Sequence, residues 1–424
     1  MRTRDLIEGV LNRASVFKSK EKLYPEYVPP ELPHRERQLK ELALLFRPLL
    51  TEPGQISQRV LLVGGIGTGK TVTARAFGRE FSSLARSRGI NLEYIHVNCH
   101  RDRTLYMVVS SIAKQVGMPI PTRGLSAQEI YLGLLEYLED ENKYVIIALD
   151  EFDYFIDFAG SDAVYFLVRT YDEYPEYTKR LNFIFIARNT ISLSKLDPAT
   201  ESYLLRNIIR FEPYTAKELY DILDSRRNLA FYEGTVSDEI LNYIAEIEGR
   251  DTGGKGNARV AIEILLLAGE AADSEGAPRV TLEHIRKAHV MVNPEIAILY
   301  DTLVYLQLHE ILFLLAAVRV LRRKQQPYVR IGEVEEEYRS ICEEVGEKPR
   351  RHTQVYEYAM NLKKLGLIEA KTSGKGYRGK STLIGINAGP LEFLELKIID
   401  ILGRKLGEKI VKGENNVDRT SILK

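Results

Sequence analysis

The stretch LLVGGIGTGKTVTA, Leu61 to Ala74, sets Gly64, four further residues and then Gly69-Lys70-Thr71 directly after an apolar run. Glycine loses the most conformational freedom on folding, so such a cluster marks a backbone that must turn tightly or come very close to something. Phosphate is the group this spacing suits. Amides from Gly65, Gly67, Thr68, Gly69, Lys70, Thr71 and Val72 can cradle the oxygens, the lysine can reach the terminal ones, and the Thr71 hydroxyl can hold Mg²⁺. RVLLVGG reads as a buried strand, and KTVTARAFGREFSSLARS as the helix whose N-terminus faces the anion. A second signal follows about eighty residues later in YVIIALDEFD, a buried strand ending in Asp150 and Glu151. Parallel strands deliver their C-terminal ends to one edge, which places Asp150 beside Thr71 around Mg²⁺. Glu151 is then positioned to orient or deprotonate an attacking water. A third strand, LNFIFIARNT, ends at Asn189, whose amide either senses a γ-phosphate or forms a turn. Arg259 opens a later helix, from which it can reach the same phosphate.

These residues need a scaffold of alternating strands and helices. From Leu61 to about Phe211, the runs VLLVGG, LEYIHVN, YVIIALD, LNFIFIA and NIIRFE alternate with helical patterns, which predicts an α/β domain with a parallel sheet wound on both faces. Residues 1–212 are assigned to it. Residues 213–293 show a period near 3.6, with Thr215 and Ser237 placed as caps, and read as a small helical bundle. A third region, 294–412, reads as three helices, the first spanning DTLVYLQLHEILFLLAAVRVLRR, followed by two strand-like pieces around KTSGKGYRGKS. That is the winged form of a helix-turn-helix. Residues 413–424 read as a frayed tail.

The chain has 424 residues, with 59 Lys and Arg against 59 Asp and Glu, so overall charge says nothing about nucleic acid. Local charge does. Between Ile331 and Glu347 there are seven glutamates against one arginine; from Lys348 to Lys380 there are nine Lys and Arg against two Glu. Arg350, Arg351, His352, Thr353 and Gln354 fall at the start of the third helix, where such modules meet base edges in the major groove. Lys371, Lys375, Arg378 and Lys380 decorate the expected wing, whose glycines permit a close approach to phosphates. A winged module can also dock a protein partner. The segment 98–119 reads as an extra helix after the second strand, with Arg101 and Arg103 as a basic lead-in. Two distant cysteines, Cys99 and Cys342, argue against a zinc site or a disulfide scaffold. With no secretory apolar core and no run long enough to span a bilayer, the expectation is a cytoplasmic protein with no membrane partner.

Together, LYPEYVPPELPHRERQLKEL, GGIGTGKT, IIALDEFD, FIARN, FEPYTAKELYDILDSR and GNARVAIEILLLAGEAA, followed by the winged region, make the chain similar to archaeal replication initiators of the AAA+ class. These are relatives of eukaryotic origin-recognition and Cdc-type loader proteins. The resemblance implies an AAA+ nucleotide-binding domain, a helical lid and a winged helix. It implies a slow ATPase that uses ADP or ATP with Mg²⁺ as a switch, binds and distorts origin duplex DNA in the nucleoid, and works with the replicative helicase and other initiator copies. Tyr27, Val28, Pro29, His34 and Arg35 would line the adenine pocket, with Asn189 and Arg259 as first and second sensors. The 98–119 segment would be the initiator-specific helical element that grips DNA through Arg101 and Arg103. The chain departs from the family at Asn257, where an acid is usual, and in LDPATESYLLRNIIRFEPY, which leaves an intersubunit arginine finger to Arg206 or Arg210. Two rivals share the ingredients: a branch-migration motor and a signalling ATPase whose winged module docks a partner.

Overall fold

A computed structural model describes residues 14–119, 124–372 and 381–411. The chain forms two compact units. One comprises residues 25–222 and 248–259; the other comprises the described residues up to 24, residues 223–247, and those from 260 onward.

The first unit is built on a five-stranded sheet of β1 (Arg59–Gly64), β2 (Leu92–Asn98), β3 (Tyr144–Asp150), β4 (Leu181–Ala187) and β5 (Ile208–Phe211), ordered β2-β3-β4-β1-β5. All pairings are parallel. A parallel sheet needs helical crossovers and is covered on both faces, so its strands are apolar throughout; β4, LNFIFIA, is buried along its whole length. Leu61, Val63, Ile147 and Phe185 face one layer of helices, Leu105–Val116, Ala127–Asp140 and Phe152–Val168. Val60, Leu62, Ile146 and Ile186 face the other, Glu36–Phe46 and Lys70–Ser87. Each such side chain contributes about 1.5–3 kcal/mol by leaving water. The sequence-expected helix at 98–119 is shorter, Leu105–Val116, because the Thr104 hydroxyl accepts the Met107 amide and fixes the start there. A second helix, Ala127–Asp140, opens on a Ser126–Glu129 capping box before β3.

Two further helices, Asp238–Glu248 and Leu282–Val292, pack in the second unit, which also takes most of Ala216–Ala230 and Ala258–Glu275. The winged module follows: helices Leu308–Lys324, Ile331–Glu344 and His352–Lys364, then an antiparallel sheet ordered β6-β8-β7 from Tyr328–Arg330, Thr382–Gly385 and Glu369–Thr372. Helix Leu391–Val411 closes its core. The helix read from Asp301 is interrupted, and Leu308–Lys324 starts afresh after Gln307, whose amide donates to Glu310 Oε2 at 2.9 Å. Strand β6 and the closing helix were not expected from the sequence.

Cys99 and Cys342 are both free and buried, one in each unit. Burial pushes both thiols up, that of Cys342 to about 11. Among the described residues no helix is long and apolar enough to cross a membrane.

Candidate nucleotide site and nucleic-acid faces

Strand β1 ends at Gly64, and the loop to Lys70 turns through two left-handed glycines, Gly67 at φ 73° and Gly69 at φ 89°. Glycine is required at both on two counts. The backbone region is one other residues avoid, and a Cβ on Gly69 would fall 2.6 Å from the Tyr214 hydroxyl, on Gly67 1.6 Å from Asn257 Oδ1. The turn is held from inside by the Thr68 hydroxyl, which donates to the Gly65 carbonyl at 2.9 Å. From outside, the Ala258 amide donates to Gly67 O at 3.1 Å. Lys70 is buried, with Nζ donating to the carbonyls of Gly64 (2.6 Å) and Gly65 (2.7 Å). Burial pulls its ammonium down to about 8, against the opposing pull of Asp150 and Asp153. Gly69 is also the N-cap of the Lys70–Ser87 helix, so Lys70, Thr71 and Val72 form its first turn, where unpaired amides favour an anion.

Strand β3 delivers Asp150 to this turn, as expected from the parallel arrangement. The Thr71 hydroxyl donates to Asp150 Oδ2 at 2.9 Å, and the Glu151 amide donates to Oδ1 at 2.9 Å. Burial raises the Asp150 carboxyl, but His96, Thr71 and that amide outweigh it and hold the pKa below the ordinary value. Glu151 sits in the left-handed region at φ 55°. A glutamate there is strained, and such strain concentrates at working sites. Arg188, at the end of β4, lies 3.8 Å from Glu151 and 3.7 Å from Asp153. Its neighbour Asn189 accepts the Ile191 amide on Oδ1 at 2.9 Å, so one end of the expected sensor amide also shapes a turn. Arg259 follows the helix start at Ala258, and its own amide is capped by Asn257 Oδ1 at 3.0 Å. Its charge is close enough to oppose that of Lys70.

Among the five N-terminal candidates, Arg35 is brought onto the phosphate loop. It is 4% exposed and donates Nε and Nη2 to the Thr68 carbonyl at 3.0 and 2.8 Å. Its guanidinium carbon stands 3.9 Å from the Tyr214 ring centroid. His34, at φ 62°, pairs with Asp221 at 2.7 Å. Tyr27, Val28 and Pro29 lie in the irregular stretch before Glu36–Phe46, with Pro29 buried. Sequence reasoning missed Tyr214, Arg188 and His96. The last had a readable signal: LEYIHVN carries Tyr94 and His96 at alternate positions of a strand that is otherwise aliphatic at its centre.

The nucleic-acid candidates divide. Arg350, Arg351, Thr353 and Gln354 are exposed at the start of His352–Lys364, and the Arg350 amide donates to the Tyr338 hydroxyl at 3.3 Å. Arg101 is exposed but donates Nε and Nη2 to the two carboxylate oxygens of Asp102, at 3.0 and 2.7 Å, which offsets its charge. Arg103 is exposed, with its guanidinium carbon 4.9 Å from the Phe158 ring centroid. Lys371, expected on the DNA face of the wing, has other company: its ammonium is 2.6 Å from Glu246 and 3.5 Å from the Tyr328 ring centroid. Lys375, Arg378 and Lys380 lie outside the described residues.

The α/β core, helical segment and winged module define an AAA+ ATPase with a C-terminal winged helix. Residues 57–193 match an AAA domain, 220–290 the Cdc6 AAA+ ATPase-type lid domain, and 301–396 the CDC6 C-terminal winged helix domain. The chain is 44% identical to ORC1-type DNA replication protein 2 of Sulfurisphaera tokodaii, over 97% of this chain and 98% of that one. It is 46% identical to the protein of that name from Saccharolobus solfataricus, over 90% and 93%. The solved structure of Cdc6p from Pyrobaculum aerophilum superimposes with TM-score 0.79 at 33% identity, covering 92% of this chain and all of that one. The chain belongs to the ORC1/Cdc6 family of archaeal DNA replication proteins. Aeropyrum pernix ORC1, solved in complex with DNA, is similar at 29% identity and TM-score 0.59 over 94% of this chain and 99% of that one.

Proposed function

We propose that this AAA+ initiator binds origin duplex DNA through its winged module and through the lead-in to its inserted helix, and that ADP or ATP with Mg²⁺ sets its conformation. The observation that carries the DNA reading is the exposed basic and polar run Arg350 to Gln354 at the start of a helix-turn-helix third helix. It gains weight from the relative solved with DNA. Arg103 is the stronger contact on the inserted element, because Arg101 is already neutralised by Asp102. Lys371 holds the lid to the winged module in this reading.

At the nucleotide site, the loop amides and Lys70 bind the phosphates, and Arg35 holds the loop in shape through Thr68. Tyr27, Val28, Pro29 and His34 are assigned to the base. Asp150 and Thr71 would hold the metal: they offer hard oxygens, and the carboxylate is kept ionised by its neighbours, which suits Mg²⁺. When bound, the ion supplies neutralisation of developing charge on the phosphate oxygens. Glu151 orients the water, Asn189 holds it or senses the γ-phosphate, and Arg259 reports that phosphate to its helix. Turnover should be slow, since a switch needs lifetime; a rate above about 10 per second would mark an ordinary enzyme instead. Family membership supports a replicative helicase and further initiator copies as protein partners, at the nucleoid.

Duplex binding followed by fluorescence anisotropy tests the DNA reading. Reversing charge at Arg350 and Arg351 should weaken binding and reduce the slope of log affinity against log salt by about two, close to 0.9 per lost phosphate contact. Unchanged affinity and slope would make the module a protein-docking unit.

A further inference from the structure

His96 stands against Asp150 and has no part in the proposed nucleotide chemistry. Strand β2 pairs with β3 so that His96 lies beside Ala148, two residues before Asp150. Its Nε2 is buried, 3.2 Å from Asp150 Oδ2, yet out of line for a hydrogen bond and without another partner. The ring is held elsewhere. Its Nδ1 faces the Tyr94 hydroxyl at 3.2 Å, and the His96 carbonyl accepts Gln115 Nε2 from the inserted helix at 3.2 Å. Tyr94 in turn packs against Gly78 of the Lys70–Ser87 helix, where a Cβ would come within 2.1 Å of the Tyr94 ring. The glycine makes the space that fixes the tyrosine, and the tyrosine fixes the imidazole.

The two oxygens of Asp150 are held unequally. Oδ1 has a backbone amide, which does not move; Oδ2 has the Thr71 hydroxyl, which is itself assigned to the metal. Once that hydroxyl turns its oxygen to a cation, His96 is the group left to stop Oδ2 from swinging. Partners of this kind, which orient a ligand without touching the ion, typically change metal affinity 10- to 100-fold when removed.

We propose that His96 is a positioning residue for Mg²⁺: it braces Asp150 Oδ2 alongside Thr71, and so sets how strongly the ion tightens nucleotide binding. The proposal rests on Thr71 and Asp150 being the metal ligands. In the tautomer whose Nδ1 accepts from Tyr94, Nε2 carries the hydrogen and stands 3.2 Å from Oδ2.

The test uses the full chain and a fluorescent ADP, titrated in EDTA and again across a Mg²⁺ series. His96→Ala should leave the affinity in EDTA within about twofold of the parent and raise the Mg²⁺ concentration for half-maximal tightening by about tenfold or more. His96→Gln, whose amide can still donate, should recover most of that shift. Tyr94→Phe, which frees the ring, should move it in the same direction by less. A parent-like Mg²⁺ response in His96→Ala would overturn the proposal. So would an equal loss with and without Mg²⁺, or a failure of glutamine to do better than alanine, because either assigns His96 to packing alone. If His96→Ala does not fold, the glutamine and Tyr94→Phe variants still decide. A parent chain whose ADP affinity ignores Mg²⁺ would instead remove the Thr71–Asp150 assignment, and the brace with it.

Discussion

Arg35 shows how one side chain can shape a loop twenty-nine or more residues away in sequence. Its guanidinium is buried against Tyr214 and gives two hydrogen bonds to a single carbonyl, Thr68 O. Arg35→Ala leaves that carbonyl short of donors and opens a space beside the ring, so it should destabilise the α/β unit by about 2–3 kcal/mol. In thermal unfolding that is a fall of several degrees, about 2–4 °C per kcal/mol for a unit of this size. Arg35→Lys should recover little, because an ammonium lacks the planar fork; full recovery would refute the two-bond account. At Gly69 the conflict is with the backbone itself. Gly69→Ala puts a Cβ 2.6 Å from the Tyr214 hydroxyl in a left-handed conformation costing about 1–2 kcal/mol. ADP affinity should drop at least tenfold, and an unchanged dissociation constant would show the loop to be more plastic than its hydrogen bonds imply. Gly64, Lys70, Thr71 and Asp150 were legible in the sequence because their spacing carries the chemistry. Arg188, Tyr214 and His96 were harder to read, because each acts through a neighbour that only the fold supplies.

Between elements, the lid and the winged module share a polar seam. Tyr243 is buried; its hydroxyl donates to Asn387 Oδ1 at 2.6 Å and lies 3.2 Å from the Ile386 carbonyl. Arg286 Nε donates to that same carbonyl at 3.2 Å, and His289 Nδ1 meets Asn387 O at 3.1 Å. Asn387 also donates to Glu369, a carboxyl raised by burial that accepts the Tyr328 hydroxyl at 2.6 Å. A double-mutant cycle of Tyr243→Phe and Asn387→Ala should give a coupling of about 1 kcal/mol in denaturant unfolding, within the usual 0.5–3 for groups in contact. Strictly additive losses would mean that the seam is incidental. Nothing in INAGP announced this contact. The charge pattern around Lys371 instead suggested nucleic acid, because a sequence shows that a lysine is present and not that Glu246 stands opposite. The five strands of the core, in contrast, were readable one by one, since burial on both faces leaves each an apolar run. The shortened inserted helix and the broken helix before Leu308 were decided by single caps, at Thr104 and Gln307, within longer stretches of helical character.

For the whole molecule, the division into two compact units has a practical use. Each unit holds one cysteine, Cys99 at the end of β2 and Cys342 in the winged module, both fully buried. Only the thiolate reacts, and burial keeps both groups protonated well above neutral pH. Alkylation of the native chain should therefore be slow at both sites and proceed through opening of the surrounding structure. The two rates, read by mass spectrometry of the labelled peptides, should change separately: ADP should protect Cys99, and duplex DNA should protect Cys342. Equal protection of both by ADP alone would show that the units open together. The native thiols thus serve as two built-in clocks, each timing the breathing of its own half without an engineered probe.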